Sequence, residues 1–282
     1  MSSALPAVAS SIQKRAPALR QYVTLASTVS TLLAMLWRDV LVACKQFFST
    51  LILLLFQPAL LLFALGRVQA FTGGLPPAFA NILVPGVLGS VIISVSVQAV
   101  SSPLIVEFSY TREIQDRLLS PIPVWLVGVE KMVVGMIKAW VCCCMYFPLA
   151  WLILGPGLYN LNADHLWLFA LALFLGSLMM SALGLLVGSA TQGAQANIVL
   201  TVFIMPMSFL GCVYFTWVGL SHARVFQYLA LLDPQTYMSE LFRGTLTTQP
   251  HLSFVWAFAG LLIWSALFFY VGLRAFMRRA LH

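Results

Sequence analysis

Charge is what this sequence has least of. Only 8% of its 282 residues are Asp, Glu, Lys or Arg, against about a quarter in an ordinary soluble domain, too few to cover a water-facing surface. With 61% apolar residues and a mean hydropathy of +0.96, the shortage excludes a soluble globular fold. It points to lipid as the solvent, where apolar side chains face outward and the backbone satisfies itself within helices. Catalytic signatures are missing as well. There is no phosphate-cradling G-x-x-x-x-G-K loop, no H-E-x-x-H, no G-x-S-x-G and no pair of intramembrane acids. Of the five cysteines, Cys142, Cys143 and Cys144 are consecutive in an apolar run, where their side chains diverge and read as packing residues rather than metal ligands. No catalytic, cofactor-binding or metal-ligating residue is therefore expected in this chain. The net charge of +7 forms no basic stripe alternating with aromatics, which excludes nucleic acid as a partner. Lys14, Arg15 and Arg20 precede a mixed, polar stretch rather than a short apolar core, so no cleavable leader is expected.

What is present is a series of charge-free runs. A bilayer core about 30 Å thick needs roughly 20 helical residues to cross it. Charged side chains are costly at its centre, so the gaps between charges mark the spans. Those between Lys45 and Arg67, Lys138 and Asp164, and Arg243 and Arg274 hold one span each. The run from Val68 to Val106 opens on the turn cluster Thr72, Gly73, Gly74, Pro76 and Pro77, which leaves its spanning part from Ile82 onward. The run from His165 to Ala223 is broken by Ser189, Thr191, Gln192, Gln195 and Asn197 and divides into two. The expected fold is an all-α integral membrane protein with six transmembrane helices at about 49–66, 82–106, 125–154, 166–187, 197–218 and 253–273. These make a single transmembrane domain over 49–275, with an N-terminal tail of residues 1–29 and a C-terminal tail of 276–282.

An even number of spans puts both termini on one side. With that arrangement only Arg67, Arg224 and Arg243 of the 15 basic residues fall on the other side. Lys and Arg are retained in cytoplasmic loops, so both termini are expected in the cytoplasm. Three features go beyond a plain bundle. Residues 30–48 carry Leu32, Leu33, Leu36, Val40 and Phe47 at near-helical spacing, with Arg38, Asp39 and Lys45 between them. This is an amphipathic helix, lying in the interface or packed on the protein. The loop Glu107–Pro123 crowds Glu107, Arg112, Glu113, Asp116 and Arg117 ahead of Leu118, Leu119 and Pro121. It reads as a short charged helix suited to docking on a soluble partner, or as a solvated connector. Residues 220–250 are too apolar for an aqueous loop and too charged for a span. Two short helices fit, broken at Asp233 and Pro234, the second capped by Asp233, ended by Gly244 and carrying Glu240 and Arg243 on one face, either dipping into the outer leaflet or lying as an amphipathic hairpin on the surface. Glu130 and Lys131 are expected at the cytoplasmic surface with Lys138 snorkelling toward it, which leaves no proton relay for a secondary transporter.

In these segments the chain resembles the ABC-2 type permease family, the membrane subunits of ATP-binding cassette exporters, including drug and lipo-oligosaccharide permeases. Arg112, Glu113, Arg117, Leu118, Leu119, Ser120 and Pro121, then Lys131, resemble the family's coupling segment, although its Gly-Thr pair is missing here. Pro206, Phe209, Leu210, Gly211 and Phe215 are similar to its fifth-helix motif. Asp233, Pro234, Thr236, Tyr237, Arg243 and Gly244 are similar to its N-P-L-T-Y-x-x-x-x-x-R-G, with Asp in place of Asn. The resemblance implies a non-catalytic permease subunit, with a re-entrant-like hairpin between the fifth and sixth spans, that moves an amphipathic, lipid or saccharide substrate by alternating access. It implies two copies of a separate ABC ATPase, which bind the ATP and Mg, and a second permease copy in the inner membrane. Arg112, Glu113, Asp116, Arg117, Leu118, Leu119 and Pro121 would then couple to the ATPase, and Asp233, Pro234, Tyr237, Glu240 and Arg243 would form an outer gate. A membrane-embedded enzyme or an assembly scaffold is the alternative; it requires a polar constellation within the bilayer, which the sequence does not display.

Overall fold

The computed structural model describes residues 25–45, 47–73, 79–111, 123–155, 165–191 and 195–281. Among the described residues the chain is helical with no strand. We number the helices α1 (Leu25–Lys45), α2 (Phe47–Leu61), α3 (Phe79–Val106), α4 (Val124–Leu154), α5 (Leu166–Ala190), α6 (Gln195–Leu210), α7 (Arg224–Leu232), α8 (Pro234–Leu246) and α9 (Phe254–Leu281). A π-helical stretch, Leu62–Val68, continues α2. The helices α3, α4, α5 and α9 are long and apolar enough to cross a bilayer, and Leu54–Val68 is a shorter apolar helix.

Helix α3 is mostly apolar and sits at the centre, with Leu83, Val84, Val87, Leu88, Ile92 and Ile93 buried on successive faces. Helix α9 is one-sided: Ala257, Leu261, Ser265, Gly272 and Phe276 face the bundle, while Val255, Trp256, Ile263 and Tyr270 are exposed. In water that outer row would be an aggregation surface; against lipid it is the solvated one. Lipid tails are as apolar as leucine, so the helices associate by close fit of small residues. A Cβ at Gly184 would lie 2.8 Å from the Val97 oxygen, and one at Gly188 3.0 Å from Ser101 Cα, which makes these two residues of α5 the seat for α3. Prolines at 58, 85, 103, 148 and 206 lie inside helices, where each removes one backbone donor. Beside Pro85, the Tyr146 hydroxyl donates to the Val84 oxygen at 2.9 Å.

The two ends of the bundle carry different side chains. At one end Arg67 donates to the Ile153 oxygen (2.6 Å), tying the end of the α2 extension to the end of α4. At the other, Arg279 in the last turn of α9 donates to the Gly188 and Ser189 oxygens, both at 3.1 Å, and to that of Thr191. It thereby satisfies the terminal carbonyls of α5 and complements that helix's dipole. Its guanidinium also lies 4.5 Å from the Phe108 ring centroid.

Several boundaries differ from the sequence expectation. The fifth apolar segment, expected to continue to Val218, is helical only to Leu210. Cys212 has φ 53, an uncommon conformation for a residue with a Cβ. The carbonyl freed by this turn accepts a hydrogen bond from Arg243. Helix α8 runs through Gly244 to Leu246, and α9 continues past Arg274 to Leu281. Glu130 and Lys131, expected at the surface, are 2% and 4% exposed, because α1 and the end of α3 bring carboxylates to Lys131.

Candidate functional site

The short helix α8 is the most enclosed polar element among the described residues. Asp233 begins it: its carboxylate accepts from the Gln235 N–H at 2.9 Å, and Pro234 occupies the first turn, where its missing N–H costs nothing. The end of α7 leaves carbonyls without helical partners, and α8 supplies donors. The Thr236 hydroxyl bonds the Ala230 oxygen (2.6 Å) and the Tyr237 hydroxyl that of Leu231 (2.7 Å). The corner at Asp233 and Pro234 is therefore tied by side-chain hydrogen bonds to both helices.

Its neighbours fix how far α8 reaches into the bundle. Gln235 Nε2 donates to Ser90 Oγ at 3.0 Å, and Ser90 lies about 16 Å along α3 from Phe79. Arg243 reaches the oxygen of Ile82 at 3.4 Å, only about 5 Å along the same helix. Helix α8 thus starts deep between α3, α5 and α9 and climbs toward the Arg67 end. Glycines on the surrounding elements make the room. A Cβ at Gly176 would lie 2.5 Å from Met238 Sδ, one at Gly211 2.6 Å from Gln235 Cγ, and one at Gly89 2.9 Å from Ser239 Oγ.

Glu240 and Arg243, three residues apart, form a fully buried ion pair. Glu240 also accepts from the Trp217 N–H (3.0 Å) and the Leu252 N–H (2.7 Å), and Arg243 donates to the Cys212 oxygen (2.7 Å). Two side chains thereby fasten the segment after α6, the segment before α9 and the start of α3 to one helix. Of the expected gate residues, Asp233 and Pro234 form the corner, Tyr237 braces it against α7, and Glu240 with Arg243 forms the knot.

At the Arg279 end lies a second buried cluster. Lys131 Nζ donates to Glu107 Oε1 at 2.7 Å and to Asp39 Oδ2 at 2.8 Å, joining α4, α1 and the π-helical stretch Glu107–Thr111 that continues α3. The sequence pattern did not join these residues, which lie 24 and 92 positions from Lys131. Lys138 is half-buried further along α4. The expected coupling residues Arg112, Glu113, Asp116, Arg117, Leu118, Leu119 and Pro121 lie outside the described residues.

A groove of about 440 Å³ runs between α2, α3 and α6. Its polar lining consists of Gln57, Ser90, Ser94, Gln98, Thr201 and Ser208. Ser90, Ser94 and Gln98 recur every four residues, one face of a helix. That spacing is the signal the charge-based reading passed over, because it looked for ions. Alongside it, Ile198, Val202, Met205 and Phe209 of α6 are exposed.

A bundle of apolar helices, a polar helix seated inside it and a groove along one side together describe a multi-pass membrane protein with an internal polar framework. No curated protein matches the chain. The ABC-2 type transporter family profile matches residues 30–247, from α1 through α8 and one residue beyond, and the chain belongs to that family.

Proposed function

We propose that the chain is the permease subunit of an ATP-driven exporter in the drug and lipo-oligosaccharide branch of the family. It crosses the inner membrane six times, with both termini in the cytoplasm, and moves an amphipathic, lipid or saccharide substrate outward. The observation that carries this reading is the α8 framework: a helix with a buried ion pair, fastened to the segments on either side of it, inside a domain matched to ABC-2 transporters. In this reading α8 stands between the groove, which it touches through Gln235 and Ser90, and the outer side that the knot holds closed, as alternating access requires. Tyr237, Glu240 and Arg243 hold the outer closure rather than contact substrate.

No phosphate-binding loop is present in the sequence, so the energy comes from a partner. Two copies of an ABC ATPase, which bind the ATP and Mg, dock on the loop carrying Arg112, Glu113, Asp116, Arg117, Leu118, Leu119 and Pro121. The stems of that loop end in the Glu107 and Lys131 cluster, so a push on it reaches α3, α4 and α1 together. A second permease copy faces the exposed row of α6 and closes the groove.

The test is copurification with an ABC ATPase, followed by reversal of two charges, Arg112→Glu with Arg117→Glu. ATP hydrolysis that depends on the permease should fall at least ten-fold while the chain remains in the membrane. Unchanged coupling removes the loop assignment. Transport by this chain with no ATPase bound ends the exporter reading.

A further inference from the structure

We propose that the groove between α2, α3 and α6 binds an uncharged amphiphile whose polar part carries hydroxyl or amide groups, a glycoside-type head group rather than an ionic one. This deepens the permease reading, on which it rests, by naming the class of cargo.

The lining decides the class. Ser90, Ser94 and Gln98 present a row about 12 Å long on one face of α3, and Gln57, Thr201 and Ser208 come from the helices on either side. Hydroxyls and primary amides both donate and accept, which is what a polyol needs, since each of its own hydroxyls does both. None of the lining residues is Lys, Arg, His, Asp or Glu. An ammonium or sulfate drawn to that depth would lose its water with no counter-charge to replace it, whereas a sugar exchanges water for side-chain partners. Among the described residues, Arg67 is engaged with Ile153, Lys131 with Glu107 and Asp39, Arg243 with Glu240, and Arg279 with the end of α5, and none of the four lines the groove.

The remaining lining suits the two other parts of such a molecule. Phe209 and Tyr214, with ring centroids 6.0 Å apart, line the groove and offer apolar faces to the C–H side of a sugar ring. Leu54, Leu61, Val87, Ile204 and Met205 receive an alkyl chain. The volume of about 440 Å³ falls in the range of small-ligand sites, roughly 300 to 1,000 Å³. The groove also reports to α8, because Ser90, one of its lining hydroxyls, accepts from Gln235.

The experiment titrates the full chain in lipid nanodiscs with three amphiphiles of equal tail length: hexyl β-glucoside, hexyl sulfate and hexyltrimethylammonium. Binding is read by saturation-transfer NMR of the ligand. The glucoside should saturate with an affinity at least ten-fold above either charged compound. The pair Ser94→Ala with Gln98→Ala should weaken it at least five-fold. Gln98→Lys, at an exposed position, should turn the preference toward hexyl sulfate. A charged amphiphile that binds the native chain as tightly as the glucoside, including a cation held over the aromatic rings, overturns the proposal. Glucoside binding indifferent to both variants does the same. The permease reading fails separately: selective glucoside binding without ATP-dependent movement in the assembled complex strikes that reading alone. ATP-dependent export of a charged amphiphile, with no glucoside bound, strikes only the cargo class.

Discussion

At the scale of residues, Glu240 and Arg243 matter most. Both are fully buried, where an ion pair is held less by its own attraction than by the hydrogen bonds around it. Removing one partner strands the other. Glu240→Ala is therefore expected to cost about 3 to 5 kcal/mol of stability, and Arg243→Met a similar amount. The double variant should cost clearly less than the sum, with a coupling of about 1.5 kcal/mol or more. Denaturant unfolding in detergent micelles, followed by tryptophan fluorescence, reads all three. Strict additivity would show that the pair is not the unit holding α8. The pair itself was legible in the sequence, because a spacing of three residues on a helix puts two side chains on one face. Its remaining partners were not. Cys212 and Ile82 lie 31 and 161 positions from Arg243, and no local rule links groups that only folding brings together. Lys131 is similar: its own neighbourhood suggested a surface cation, and the carboxylates that bury it come from two other helices.

At the scale of elements, α8 was readable at its start and not at its end. Asp233 and Pro234 give a cap and a first turn in any context. Gly244 reads as a terminator, yet the helix continues, because this glycine serves contact rather than turning: a Cβ there would lie 2.5 Å from the His251 ring. The seat of α8 yields a compensating pair. Gly176→Ala places a methyl 2.5 Å from Met238 Sδ and should destabilise by about 1 to 3 kcal/mol through overpacking. Met238→Ala in the same chain should recover at least half of that loss in thermal unfolding experiments. No recovery would mean that α8 rests on α5 through other contacts. The groove escaped the sequence reading for a related reason. A helix such as α3, mostly apolar and without a dominant polar face, has no phase from which to tell a lipid-facing edge from a cavity-facing one, and two serines and a glutamine do not interrupt a hydropathic run.

At the scale of the whole molecule, the alternation of spans is the claim with the most to lose. In a chain whose native cysteines are replaced by Ala or Ser, single cysteines at Thr72, Ala223 and Ser253 should react with a membrane-impermeant maleimide from outside the cell. Those at Pro123 and Arg278 should react only after the cytoplasmic face is opened. All five positions are exposed at ends of the bundle. Labelling of Ala223 from the same side as Pro123 would remove the crossing by α6 and with it the six-pass topology. The sequence by itself determined that the chain lives in lipid, which segments are apolar enough to lie there, and where the corner before α8 falls, because these follow from charge desolvation and backbone capping, both local in sequence. Only the tertiary structure decided that α8 is buried to its last turn, that Lys131 joins three elements, and that a row of hydroxyls and amides on α3 faces a groove. Each of these depends on which helix stands beside which, and in a nearly uniform apolar sequence that is set by the fit of small residues at close approach rather than by any pattern along the chain.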